Sequence, residues 1–351
     1  MELIRILEQA LKLGGSDIFI VPGSPVEVKV RGSFIPVTEQ KLTPKDTSAL
    51  VGAAYELAFR DRELIDRTGD DDFSFSVKDL SRFRCNAYKQ RGTVAATCRV
   101  VAFGLPDPKA LGIPDTVIRL TEQRNGMILV TGPAGSGKST TLACMVDTIN
   151  SNRSGHIVTI EDPIEFLHRH KKSLVSQREV PTDAATFPGA LRAALRQAPD
   201  VIMLGEMRDT ETIRTAITAA ETGHLVLSSL HTVGASKTVD RIIDAFPAEQ
   251  QAQIRMQLSM VLMAVVSQRL VPTLDGEQAA VFEVMTVNSA VRNMIRDGRT
   301  HQIDNAITAG SSREMLSMDA ELVRLFKEHR ISRETALIYA ANQELMERKL
   351  V

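Results

Sequence analysis

The stretch Gly132-Pro-Ala-Gly-Ser-Gly-Lys138-Ser139 constrains this chain more than any other part of it. It satisfies the spacing G-x-x-x-x-G-K-[S/T], and it lies between an apolar strand-like run at 127–131 and a helical run at 140–149. Glycines let successive backbone N–H groups converge without a Cβ in the way, and the helix N-terminus adds positive partial charge, so the pattern predicts a phosphate cradle. Gly132, Pro133, Ala134, Gly135, Ser136, Gly137 and Thr140 would line it, Lys138 would neutralise β- and γ-phosphate oxygens, and Ser139 would ligate Mg²⁺.

Beyond this loop, apolar runs at 157–160, 201–204 and 225–227 alternate with helical stretches, which predicts a mostly parallel sheet wrapped by helices. Ligands of such sheets bind outside the carboxyl ends of the strands. Three of those ends carry titratable groups. The run at 201–204 leads to Glu206, read as a Walker B carboxylate that holds the Mg²⁺ shell, and the run at 157–160 leads to Glu161, Asp162 and Glu165. A carboxylate near the γ-phosphate can orient the attacking water, and composition does not choose among these three. The run at 225–227 is bracketed by His224 and His231, either of which could donate to a terminal phosphate or report its loss.

At 351 residues the chain exceeds one ordinary core, so two domains are expected. Three prolines and a glycine within 105–114 mark the linker. The organisation read from the sequence is a smaller N-terminal α+β domain over 1–100, a linker over 101–116, and an α/β P-loop domain over 117–351 with a helical C-terminal part. Within the first domain, 1–13 reads as an amphipathic helix closed by Gly14-Gly15, 47–57 as a second helix, and 26–30 and 73–77 as short strands. A Met-rich helix is expected over 251–268, with Ile254, Leu258, Val261, Leu262 and Val265 on its apolar face.

A formal net charge of −1 advertises no polyanion partner, so no nucleic acid is expected. Three cysteines far apart, with no CxxC pair, fit a reducing cytoplasm better than a zinc site or a disulfide framework. The longest apolar run, 260–266, falls well short of the roughly 18 residues of a membrane span, so membrane association is expected to be peripheral.

Four boxes in order, at 132–139, 160–165, 201–206 and 223–231, resemble the secretion-ATPase superfamily over nearly the whole chain. Ala219-Ala-Glu-Thr-Gly-His224, Ser229-Leu-His-Thr232 and the 241–247 segment are similar to its pilus-retraction branch. Ala290-Val-Arg-Asn-Met-Ile-Arg-Asp297 resembles the AIRNLIRE segment of that branch, departing from it at Val291, Met294 and Asp297. The resemblance implies a RecA-like ATPase domain behind a PAS-like one, with ATP and Mg²⁺ as ligands and Glu165 as the catalytic carboxylate, supported by Glu161 and Asp162. It further implies a cytoplasmic homohexamer that works on the inner-membrane platform protein of the pilus machine without entering the membrane. Hexamers of this kind place arginines across subunit interfaces, and Arg82, Arg84, Arg192, Arg196 and Arg208 are the candidates. An accessory retraction paralogue and a RecA-like nucleic-acid translocase are the alternative readings.

Overall fold

The computed structural model describes residues 3–30, 32–101, 104–310 and 314–350, so Met1, Glu2 and two positions of the expected linker, 102 and 103, lie outside it. The chain divides into two compact units, Met1–Gly104 with the short segment Glu165–Leu167, and Leu105–Ile164 with His168–Val351.

The first unit contains α1 (Leu3–Lys12), β1 (Asp17–Ile20), β2 (Glu27–Val30), β3 (Ser33–Pro36), α2 (Pro44–Leu57), α3 (Glu63–Thr68), β4 (Asp70–Val77), β5 (Ser81–Gln90) and β6 (Thr93–Val101). Its six strands form one antiparallel sheet in the order β3-β2-β1-β6-β5-β4. Gly14, with φ +73°, follows α1 as the expected left-handed stop. The start of α2 is fixed by a reciprocal cap: the Thr43 hydroxyl accepts from the Asp46 N–H while the Asp46 carboxylate accepts from the Thr43 N–H. In β5 the buried residues Phe83, Cys85 and Ala87 alternate with Arg82 and Arg84, so both arginines share the sheet's other face, as their spacing predicts. Arg82 is partly buried and donates to Ser76 Oγ at 3.4 Å, while Arg84 is exposed.

The second unit opens with α4 (Asp115–Arg119) and continues through β7 (Gly126–Thr131), α5 (Lys138–Asn152), β8 (His156–Glu161), β9 (Leu174–Glu179), α6 (Phe187–Ala194), β10 (Val201–Leu204), α7 (Thr210–Glu221), β11 (Leu225–Leu230), α8 (Ala235–Asp244), α9 (Ala248–Val261), β12 (Leu262–Pro272) and β13 (Gln278–Thr286). Five short helices follow: α10 (Ser289–Arg296), α11 (Ile303–Ala309), α12 (Met318–Lys327), α13 (Arg333–Tyr339) and α14 (Gln343–Lys349). The sheet order is β13-β12-β7-β11-β10-β8-β9, parallel throughout except for the antiparallel edge strand β13. Helices cover both faces. Met127 and Leu129 pack with α6 to α9 on one side, and Ile128 and Val130 pack with α5 on the other. That two-sided burial is why the central strands read as continuous apolar runs rather than alternating ones.

The expected helix over 251–268 is a correction. Its first part is α9, which buries Ile254, Leu258 and Val261, but the chain turns extended at Leu262 and runs on as β12. Leu262 and Val265 are strand residues, hydrogen-bonded into a ladder with β7. A strand buried on both faces places apolar residues at every position and so mimics helical spacing, and here the β-branched Val265-Val266 pair and the open edge of β7 decide for the strand.

Candidate functional site

The four strands singled out in the sequence lie side by side, in the order β7, β11, β10, β8. Because they are parallel, Thr131, Leu230, Leu204 and Glu161 end at one edge of the sheet, and the loops that follow carry the candidate residues.

The loop after β7 depends on three glycines with positive φ: Gly132 at +149°, Gly135 at +75° and Gly137 at +87°. A Cβ on Gly132 would stand 2.2 Å from the carbonyl oxygen of Gln268 and 2.7 Å from Ser136 Oγ, and one on Gly137 would stand 2.8 Å from Gln268 Nε2. Lys138 is 8% exposed and folds back over the loop, its Nζ donating to the carbonyls of Gly132 at 3.1 Å and Pro133 at 2.9 Å. Ser139, one residue into α5, is exposed, and Thr140 is partly so. Buried at the loop, the hydroxyls of Thr131 and Ser136 find no partner among the described residues. Orphaned donors beside a glycine cradle at a helix N-terminus are the donor set a polyphosphate requires, so the residues fit a nucleotide.

At the end of β10, Glu206 is held from two sides. Arg208 forms an ion pair with one carboxylate oxygen, and His231 Nε2 lies 3.2 Å from the other. A carboxylate only accepts, so that nitrogen carries the proton. The Glu206 carboxylate holds the Arg208 guanidinium above its usual range through their hydrogen bond. Ser229 Oγ, at the neighbouring strand end, donates to the Gly205 carbonyl at 2.6 Å and keeps the Glu206 turn against β11. Glu206, Arg208, Ser229, His231 and Arg241 line a cavity of about 260 Å³.

After β8 the three carboxylates separate. Glu161 is 8% exposed and accepts from Thr159 Oγ1 at 2.6 Å and Gln177 Nε2 at 3.2 Å, the bonding of a structural carboxylate. Asp162 and Glu165 are exposed, and Glu165 falls in the segment that belongs to the first unit. Glu179 of β9 accepts from the Ile164 N–H at 3.0 Å and so fixes the loop that presents them.

Two predicted residues are not brought to this edge within one chain. His224 precedes β11 instead of following it; a strand of six residues, about 20 Å, separates it from His231, and its Nδ1 lies 2.9 Å from the Ala219 carbonyl, which closes the end of α7. Arg196 precedes β10 at the same far edge, exposed, with its guanidinium on the Arg192 carbonyl at 3.2 Å. Arg192 itself is exposed and paired with Glu211. Residues the sequence did not single out are Gln268, whose Oε1 accepts from Thr141 Oγ1 at 2.7 Å, and Glu179. Neither belongs to a box with a recognisable spacing, and Gln268 stands 127 positions from its partner.

The pattern of the family described as type II/IV secretion system protein matches residues 2–350. The type IV pilus retraction ATPase PilT of Pseudomonas aeruginosa is 43% identical over 337 residues, covering 96% of this chain and 97% of that protein. The type IV pilus ATPase PilU of the same organism is 39% identical, covering 97% and 89%. A crystal structure of the pilus retraction motor PilT with bound ADP superposes with a TM-score of 0.90 at 43% identity, covering 99% of both chains. The fold is therefore the RecA-like P-loop domain with a smaller N-terminal α+β, PAS-like domain, and the chain belongs to the type II/IV secretion system ATPase family.

Proposed function

We propose that this protein hydrolyses ATP with Mg²⁺ and works as a homohexameric motor that powers type IV pilus retraction, driving pilin disassembly at the inner-membrane platform protein from the cytoplasmic side. The observation that carries the reading is the Arg208–Glu206–His231 constellation on the same sheet edge as the Lys138 loop, in a chain 43% identical to a pilus retraction ATPase over 96% of its length. Among the described residues no helix is long and apolar enough to cross a membrane, which fits peripheral attachment.

Each residue then has a task. Lys138 leaves the loop carbonyls it now holds and meets the β- and γ-phosphate oxygens, while the backbone N–H groups of 132–139 wrap them. Magnesium, held by Ser139 and by Glu206 through water, would supply charge neutralisation across those phosphates. Glu165 orients and deprotonates the attacking water, with Glu161 keeping the end of β8 in place. His231, hydrogen-bonded to Glu206, senses the terminal phosphate, because losing it changes the charge that Glu206 faces. Arg208, Arg82, Arg84 and Arg196 are exposed or partly so, and are the guanidinium groups available to a neighbouring subunit's nucleotide.

Glu165→Gln is expected to bind ADP as the unaltered chain does while turnover falls by roughly 10² to 10⁴. Full turnover in that variant would move the catalytic role to another carboxylate. In cells, deletion of the gene is expected to leave pili that extend and do not retract. The 39% identity to PilU supports a second reading, an accessory motor, and rescue of a retraction-null strain by this chain alone would rule it out.

A further inference from the structure

Consecutive residues of a strand face opposite sides of its sheet, and where the ladder between β12 and β7 ends two neighbours inside β12 use this to hold two different loops. Ser267 Oγ accepts from the Gly234 N–H at 2.9 Å, in the loop that follows His231. Glu283, opposite Ser267 in the β12–β13 register, accepts from the Ala235 N–H at 3.0 Å at the start of α8. Gln268 serves the other side. It is 4% exposed, its Oε1 accepts from Thr141 Oγ1 at 2.7 Å in the first turn of α5, and its amide nitrogen rests against Gly137. Its own carbonyl oxygen occupies the space a side chain on Gly132 would need. One residue thus touches the first glycine of the phosphate loop, the last glycine, and the helix that the loop opens.

We propose that Gln268 is a positioning residue of the phosphate loop, which holds Gly132, Gly137 and Thr141 in the phosphate-binding arrangement before nucleotide arrives. Resting on the nucleotide reading above, the inference deepens it: the β12–β13 hairpin sets the spacing between the phosphate loop, through Gln268, and the His231 loop, through Ser267 and Glu283. Presetting a loop strengthens binding because less ordering remains to be done when the ligand arrives. The acceptor matters as much as the shape, since among the described residues it is Gln268 that satisfies the buried Thr141 hydroxyl.

The test is a double-mutant cycle on the full chain, read as the Kd of a fluorescent methylanthraniloyl-ADP and as the melting temperature without nucleotide. Gln268→Met keeps the side-chain volume and removes the acceptor, and Thr141→Val removes the donor. Each is expected to weaken ADP by about tenfold, and the pair together by about tenfold rather than a hundredfold, because both delete one bond. Thr141→Ser retains the hydroxyl and should bind within about twofold of the unaltered chain. Independent, multiplicative losses would overturn the proposal, as would variants whose melting temperature drops while their Kd stays the same. If the unaltered chain itself failed to bind the probe, the nucleotide reading would fall and this inference with it.

Discussion

A graded glycine series isolates the steric design of the phosphate loop. Gly132, Gly135 and Gly137 all have positive φ, so alanine at any of them introduces backbone strain of about 1–2 kcal/mol. At Gly135 nothing lies within 4 Å of the added methyl, and strain is the whole effect. Gly137→Ala must also push aside Gln268 Nε2, 2.8 Å away, but that is the tip of a side chain and can rotate. The substitution at Gly132 meets a backbone carbonyl at 2.2 Å, and the strand bearing it is fixed between β7 and β13. Overpacking that cannot relax adds about 2–3 kcal/mol to the strain, so Gly132→Ala should destabilise by about 3–5 kcal/mol. For a unit of this size the gap between Gly135→Ala and Gly132→Ala corresponds to about 4–12 °C in melting temperature, with Gly137→Ala between them. Calorimetry of the three nucleotide-free variants reads it directly. Equal melting temperatures for Gly132→Ala and Gly135→Ala would show that the Gln268 carbonyl yields freely, and the reasoning from close approach would be refuted.

Two further outcomes follow from buried titratable groups. Burial pushes the His168 imidazole down to about 4, and among the described residues its buried Nδ1 finds no partner. Below the unfolded value of about 6.5 the unfolded chain takes up a proton that the native state refuses, so stability should decline by about 1.4 kcal/mol per unit as pH falls from 6.5 towards 4. Urea midpoints at pH 7 and pH 5 should differ less for His168→Gln than for the unaltered chain, and parallel pH dependences would refute the assignment. Burial, with Asp147 and Asp107 nearby, raises the Cys144 thiol to about 11, so it should resist iodoacetamide at neutral pH until the protein is denatured. Alkylation of the native protein at the rate of a free thiol would contradict this.

The parts of the fold legible in the sequence are those in which local pattern and tertiary role coincide. The runs ending at Thr131, Ile160, Leu204 and Leu227 announce themselves because strands covered on both faces must be apolar at each position, and parallel strands need the helices that separate them. The same property misled the reading of 251–268. Once every residue of a segment is buried, helical spacing is satisfied by accident, and the fact that β12 completes an edge of β7 is not written in β12 itself.

The site divides along the same line. Lys138, Glu206 and His231 follow strand ends and could be placed from sequence, because in a parallel sheet a position just after a strand is a position at one edge. Applied backwards, that rule also removes His224 and Arg196 from this edge within a single chain, since each precedes its strand. Gln268 follows neither pattern. It lies inside a strand, a setting that normally demands an apolar side chain, and a buried amide there is tolerated only because Thr141 occupies its oxygen. A polar residue within an otherwise apolar strand is therefore the sequence trace such a support leaves, and Ser267-Gln268 at the end of Val265-Val266 was that trace. Its meaning depends on which strand lies alongside: beside the phosphate-loop strand it becomes a wedge against that loop, and beside any other it would be a buried amide in search of a partner.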